Sequence, residues 1–227
     1  SSSLEETRLL AQFPVLTSDS STSIQADRSS GKIPASGSVN FYLRLFDVAH
    51  DGTIPRNFTL SVSPVSRSWE EGYGLDMESY KDRTYDGTGS NWVNSAAGTS
   101  WTNEGGDYLT ASAYSEFNYS QTFDSGLEDL EVDITGLVEQ WITGTAGGGY
   151  NNYGVGIFLT ASEANSNRSY YTKKFSARGS EFFFKRPIIE ARWDSSRKDN
   201  RGNFYLSSST LSSADNLNTL YFYNYVR

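Results

Sequence analysis

The chain has 227 residues with no cysteine, one histidine and one methionine, and its 27 acidic and 19 basic residues leave a net charge of -8. Without cysteine there is no disulfide framework, thiolate metal site, iron–sulfur cluster or catalytic thiol, and a single histidine cannot build a multi-histidine zinc or copper centre. A composition that is 37% hydrophobic and 15% aromatic supplies the core of one sizeable domain with appendages, so a folded chain is expected. No apolar run approaches the ~20 residues that cross a bilayer, and no charged-then-apolar leader opens the sequence, which reads as soluble or already matured.

Residues 1–35 are rich in serine and threonine, with apolar islands at Leu9-Leu10-Ala11 and Phe13-Pro14-Val15-Leu16. Pro14 removes a backbone donor, so an extended arm that lends one or two strands elsewhere is expected rather than a helix. From Val39 the residues alternate, placing Val39, Phe41, Leu43 and Leu45 on one core face. Residues 58–62 alternate again, and the turn signals at His50-Asp51-Gly52 and Pro55 predict that the two strands form a hairpin. Between 66 and 108, tryptophans and glycines recur without a period, which predicts an elaborate loop region.

Val132-Asp133-Ile134-Thr135 reads as a strand running into a cap, after which Leu137, Val138 and Trp141 fall at helical spacing until Gly144 and the 147–149 glycines stop the helix. Residues 155–160, 170–175 and 188–193 read as three further strands, and 220–226 as a last, tyrosine-rich one. Many short strands with one short helix predict an all-β fold, a jelly-roll-type β-sandwich with extended terminal arms. The expected organisation is an N-terminal arm at 1–35, the sandwich at 36–194, and a C-terminal arm or further unit at 195–227.

Several short patterns occur in a consistent order. They are Leu43-Arg44-Leu45-Phe46-Asp47, Trp69-Glu70-Glu71-Gly72, Gly98-Thr99-Ser100-Trp101, Val132-Asp133-Ile134-Thr135 before Val138 and Trp141, Tyr153-Gly154-Val155-Gly156-Ile157, and Arg186-Pro187-Ile188-Ile189-Glu190. In these the stretch 38–194 resembles the DNRLRE family of β-sandwich domains, related to carbohydrate-binding modules of surface and extracellular proteins. Residues 43–55, 179–193 and 199–203 are also similar to large virion structural proteins of marine tailed phages, cyanophages above all. The resemblance implies a non-enzymatic role in a virion, as capsid decoration or as a tail or fibre component. It implies an extracellular particle as the location, or alternatively a secreted or surface protein.

Catalysis finds little support in the residues. His50 precedes a turn, and no nucleophile-elbow Gly-x-Ser-x-Gly accompanies it. Paired carboxylates for glycoside hydrolysis would come from Glu70, Glu71, Asp76 and Glu78, or from Glu181 and Glu190, and the preferred reading is that these are solvated or paired with arginine. No cofactor is expected beyond a structural calcium, for which Asp82, Asp86, Asn91 and Asp107 offer oxygen ligands among glycines.

Two sets of residues are candidates for binding. Trp69, Tyr73, Trp92, Trp101 and Tyr108 offer flat faces for a surface glycan, against the preferred reading that they anchor a long loop. For assembly with copies of the chain or other virion proteins, the candidates are Phe13, Val15 and Leu16 in the first arm, Phe183, Lys185 and Arg186 near the last sandwich strand, and Tyr221, Tyr223 and Tyr225 in the last arm. Alternation within Phe182-Phe183-Phe184 would bury two rings and turn Phe183 toward a partner. An acidic pI of about 4.7 argues against nucleic acid, and no membrane partner is expected. Yet residues 164–201 carry ten basic against four acidic residues, leaving -14 on the remainder, a polarity suited to head-to-tail docking.

Overall fold

Alternation of apolar residues sets which faces are buried, and it does so in two layers. A computed structural model describes residues 6–49, 54–72, 89–165 and 172–194. Strand β1 (Leu9–Ala11) is followed by a short helix α1 (Ile24–Ser29), then β2 (Asn40–Leu45) and β3 (Phe58–Pro64). A small β4–β5 pair (Asn94–Ala96, Thr99–Ser100) precedes β6 (Tyr119–Phe123), β7 (Leu130–Asp133), helix α2 (Thr135–Thr143), β8 (Val155–Leu159), a single-turn helix α3 (Ala161–Ala164) and β9 (Ile188–Arg192). The result is mostly sheet, with few and short helices.

The strands form antiparallel sheets in the orders β1-β8-β3-β6 and β7-β2-β9. One core draws on both. Val39, Phe41, Leu43 and Leu45 meet Phe58, Leu60, Val62, Phe123, Val155 and Ile157 in a single buried cluster. Phe58 and Phe123, register partners on β3 and β6, stack with ring centroids 5.1 Å apart. Each such fully buried side chain contributes roughly 1.5–3 kcal/mol of transfer free energy.

The expected hairpin between 39–46 and 58–62 does not form. β2 pairs with β7 and β9, while β3 pairs with β6 and β8, so the two strands lie in different sheets and share the core through their side chains. Alternation identifies a buried face without naming the strand beside it. The strand expected at 170–175 is also absent over its described part, where Phe175 makes only an isolated bridge to Asp47. The tyrosine-rich strand at 220–226 lies outside the described residues.

Helix α2 follows β7 as expected, with Leu137, Val138 and Trp141 buried. Its N-cap position is Ile134, whose side chain makes no capping bond; just ahead of it the Asp133 carboxylate accepts from the Thr135 N–H at 3.0 Å and from its hydroxyl at 2.6 Å. The Thr135 hydroxyl oxygen in turn accepts from the Phe41 N–H, tying the helix start to β2. Gly144, at φ 63°, ends it.

The N-terminal segment belongs to the chain's own fold. β1 pairs with β8, Val15 is 0% exposed, and Arg28 on α1 makes two hydrogen bonds to Glu139 on α2. Its serine-rich composition hides this because only a few apolar residues carry the attachment. The chain divides into two units, Ser1–Trp193 and Asp194–Arg227.

Candidate functional site

The tryptophan-rich loop is built around two anchors. Trp101 is 6% exposed, and its indole N–H donates to the Asn91 carbonyl at 2.9 Å. Asp107 accepts from the backbone N–H groups of Thr102 and Asn103 and from the Asn103 amide, all within 3.0 Å. Burial by itself would raise the Asp107 carboxyl; these donors outweigh it and hold the group below the usual carboxylate range.

Trp92 and Tyr108 serve a cation of the same chain. The Arg8 guanidinium lies 4.9 Å from the Trp92 ring centroid, 5.7 Å from Tyr108 and 5.2 Å from Phe158, and donates to the Gly105 carbonyl. Tyr108 also packs against Gly156, where an added Cβ would lie 2.1 Å from its ring. Thus Trp101 is too buried to stack on a sugar, and Arg8 stacks against Trp92 and Tyr108. Tyr73 lies outside the described residues.

Trp69 is placed differently. Its indole N–H donates to the Tyr153 carbonyl, and its ring helps line a groove of about 720 Å³. Leu9, Ala11, Phe13 and Pro14 form one wall, Phe175, Ala177 and Pro187 another, with Asp19 and a Glu71–Arg178 ion pair of 3.2 Å among its polar groups. The volume falls within the range of small-molecule and peptide-anchor pockets.

Beside this groove stands the most exposed apolar feature of the described residues. Phe182, Phe183 and Phe184 are 60%, 68% and 88% exposed. The expected alternation fails because Phe183–Lys185 is a 3-10 turn outside either sheet. The turn is held by the Lys185 N–H on the Phe182 carbonyl, and the Arg186 side chain donates to the Ser180 carbonyl. Phe183 and Phe184 pack edge to face at 5.6 Å, while Lys185 and Arg186 lie over Phe182 and Phe183 at 5.8 and 5.5 Å.

The assembly candidates therefore separate. Phe183 and Lys185 are exposed on the knob and Arg186 is half-buried at its base. Phe13 lines the groove and Leu16 is half-buried. Val15 is withdrawn from any surface by its complete burial in the core. Tyr221, Tyr223 and Tyr225 lie outside the described residues.

Among the described residues the carboxylate candidates do not converge on one cleft. Glu70 accepts from the Gly89 and Ala97 N–H groups, and Glu71 pairs with Arg178. Glu190 bonds Arg192 and Arg44, and these two arginines hold its carboxyl down at about 2. Glu181 is exposed; His50, Asp76 and Glu78 are not among the described residues. Of the calcium candidates, Asp82 and Asp86 fall outside the described residues. Asn91 turns its side-chain oxygen to the Val93 and Asn94 N–H groups, and both Asp107 oxygens are taken by donors. Among the described residues no cluster of three or more His, Cys, Asp or Glu side chains is arranged to hold a metal ion, and no helix is long and apolar enough to cross a membrane.

Sequence reasoning missed the groove altogether. Its walls come from residues up to 178 positions apart, Leu9 and Pro187, and no local pattern announces them. Compared with known proteins, the chain matches no family model, and neither a curated protein nor a solved structure matches it significantly.

Proposed function

We propose that this chain is a non-enzymatic structural protein of a phage virion, a jelly-roll-type β-sandwich that works through surface contact with copies of itself or other virion proteins. The observation that carries the reading is the exposed Phe182-Phe183-Phe184 knob with its flanking Lys185 and Arg186. A soluble monomer gains nothing from three adjacent exposed rings, whereas an interface gains large apolar area at little ordering cost. The jelly-roll reading is supported by the way β2, β3, β6, β7, β8 and β9 pass repeatedly between the two sheets. The resemblance of residues 43–55, 179–193 and 199–203 to virion proteins of marine tailed phages supports the virion setting.

Replacing all three phenylalanines by serine is expected to abolish incorporation into particles while leaving the melting temperature within a degree or so of the parent, because exposed side chains contribute little to folding. Normal incorporation of that variant would overturn the reading. A second reading, a glycan-binding module, is favoured by Trp69 in its groove beside Gln12, Asp19 and Arg178. Glycan-array binding that disappears on Trp69→Phe with melting unchanged supports it; an array without signal counts against it.

A further inference from the structure

We propose that the phenylalanine knob of one copy seats in the Trp69 groove of a second copy, and that the exchange is reciprocal, making a closed two-fold dimer. The proposal rests on the surface-contact reading and names its partner. Knob and groove match in chemistry. The knob carries three rings and two cations, and the groove is walled by Leu9, Phe13, Trp69, Phe175 and Pro187, with Asp19, which accepts from Leu16 and Asn152, and Glu71, which pairs with Arg178, as its carboxylates. Neither Lys185 nor Arg186 pairs with a carboxylate among the described residues, so both are available to meet acids across an interface.

Closure follows from where the two features sit. Ala177, Arg178 and Pro187 line the groove, and the knob is the loop between them. A knob and a hole on opposite faces would chain copies into an open filament. A knob beside its own hole places the second copy's knob at the first copy's groove, which is the self-complementary geometry of a two-fold interface. The area suffices as well. At about 200 Å² for a fully exposed ring, the three exposures remove about 400 Å² per knob, and the groove walls about half as much again. Two reciprocal sites thus bury about 1,200 Å², the lower end of the range of specific protein–protein interfaces. Pre-ordering of the turn keeps the entropic cost of docking low.

The test uses the full chain in sedimentation equilibrium over a wide concentration range. The parent is expected to be a dimer that weakens as salt is raised. Phe183→Ser with Phe184→Ser removes the knob, and Ala177→Trp, at an exposed position, fills the groove; each is expected to raise the dimer dissociation constant at least about tenfold without lowering the melting temperature read at concentrations where the parent is monomeric. Mixing the two variants is expected to give a weaker heterodimer, since one intact knob then faces one intact groove. A parent that is monomeric throughout, a dimer indifferent to both variants, or open-ended assemblies would each overturn the proposal. Particle incorporation is scored separately. A monomeric parent whose incorporation still depends on the knob sinks the dimer and leaves the surface-contact reading, whereas incorporation independent of the knob sinks the latter.

Discussion

At the scale of single residues, two buried groups stand out for what they hold together. Trp101 fills the base of the tryptophan loop and is bonded through its indole nitrogen, so Trp101→Ala leaves a cavity and an unpaired Asn91 carbonyl. The expected cost is about 3 kcal/mol, read as a lowered denaturation midpoint. Unchanged stability would mean that the ring is a surface platform after all. Lys173 is 4% exposed by side chain, 2.6 Å from Asp47, 2.9 Å from the Gly126 carbonyl, and packed against the rings of Phe123 and Phe175. This one ammonium joins the segment after 172 to the end of β2 and to the loop before β7. Lys173→Met strands the Asp47 carboxylate and is expected to cost about 3 kcal/mol, measured by urea unfolding. Lys174→Met, next door and exposed, is expected to change stability by no more than about 0.5 kcal/mol.

At the scale of elements, β7, β2 and β9 carry an ion network across their shared face. Arg44 on β2 reaches Glu131 on β7 at 3.1 Å and Glu190 on β9 at 2.6 Å, and Arg192 bridges the same two carboxylates from the other side. Hydrogen bonds from Arg192 and then Arg44 hold Glu190 at about 2, and Glu131 is lowered too, chiefly by Arg192. Since both carboxyls sit below their unfolded value, the stabilisation is complete above pH about 4.5 and is lost as pH falls toward about 2. Glu190→Gln is expected to flatten that acid-side loss of melting temperature and to cost about 1 kcal/mol at neutral pH, the scale of a partly exposed pair. An unchanged acid profile would show that other carboxylates govern it. The glycines around β8 act at this scale as well. A Cβ on Gly154 would lie 2.1 Å from the Ala11 carbonyl oxygen and one on Gly156 would strike Tyr108, so the glycine just before this strand admits β1 and the one within it admits the tryptophan loop.

At the scale of the whole molecule, the N-terminal segment tests how far cooperativity extends. Val15 lies in the common core although it precedes the first long strand by some two dozen residues. Val15→Asn is therefore expected to lower the single melting transition of the entire first unit by roughly 2–3 kcal/mol, as calorimetry would record, rather than to release a local tail. A variant that frays only at its N-terminus would return the segment to the status of an arm. The charge polarity changes meaning at this scale too. Within the described part of the basic stretch, Lys173, Arg178 and Arg192 already pair inside the chain, while Lys174, Lys185 and Arg186 carry no ion pair among the described residues, and the last two stand at the knob.

Sequence by itself determined the β-rich character of the fold, the buried faces of β2 and β3, and the helix after β7, because periodicity, capping and turn chemistry act over a few residues. Tertiary structure alone decided which strands pair, that β1 and Val15 close the core, that Arg8 stacks against Trp92 and Tyr108, and that three phenylalanines stand in the open beside a groove. Those outcomes depend on residues from about sixty to about 180 positions apart meeting in space, and on which backbone donors and acceptors are left over once the sheets have formed. Alternation reports that a side chain is buried; only the packed layers say against what.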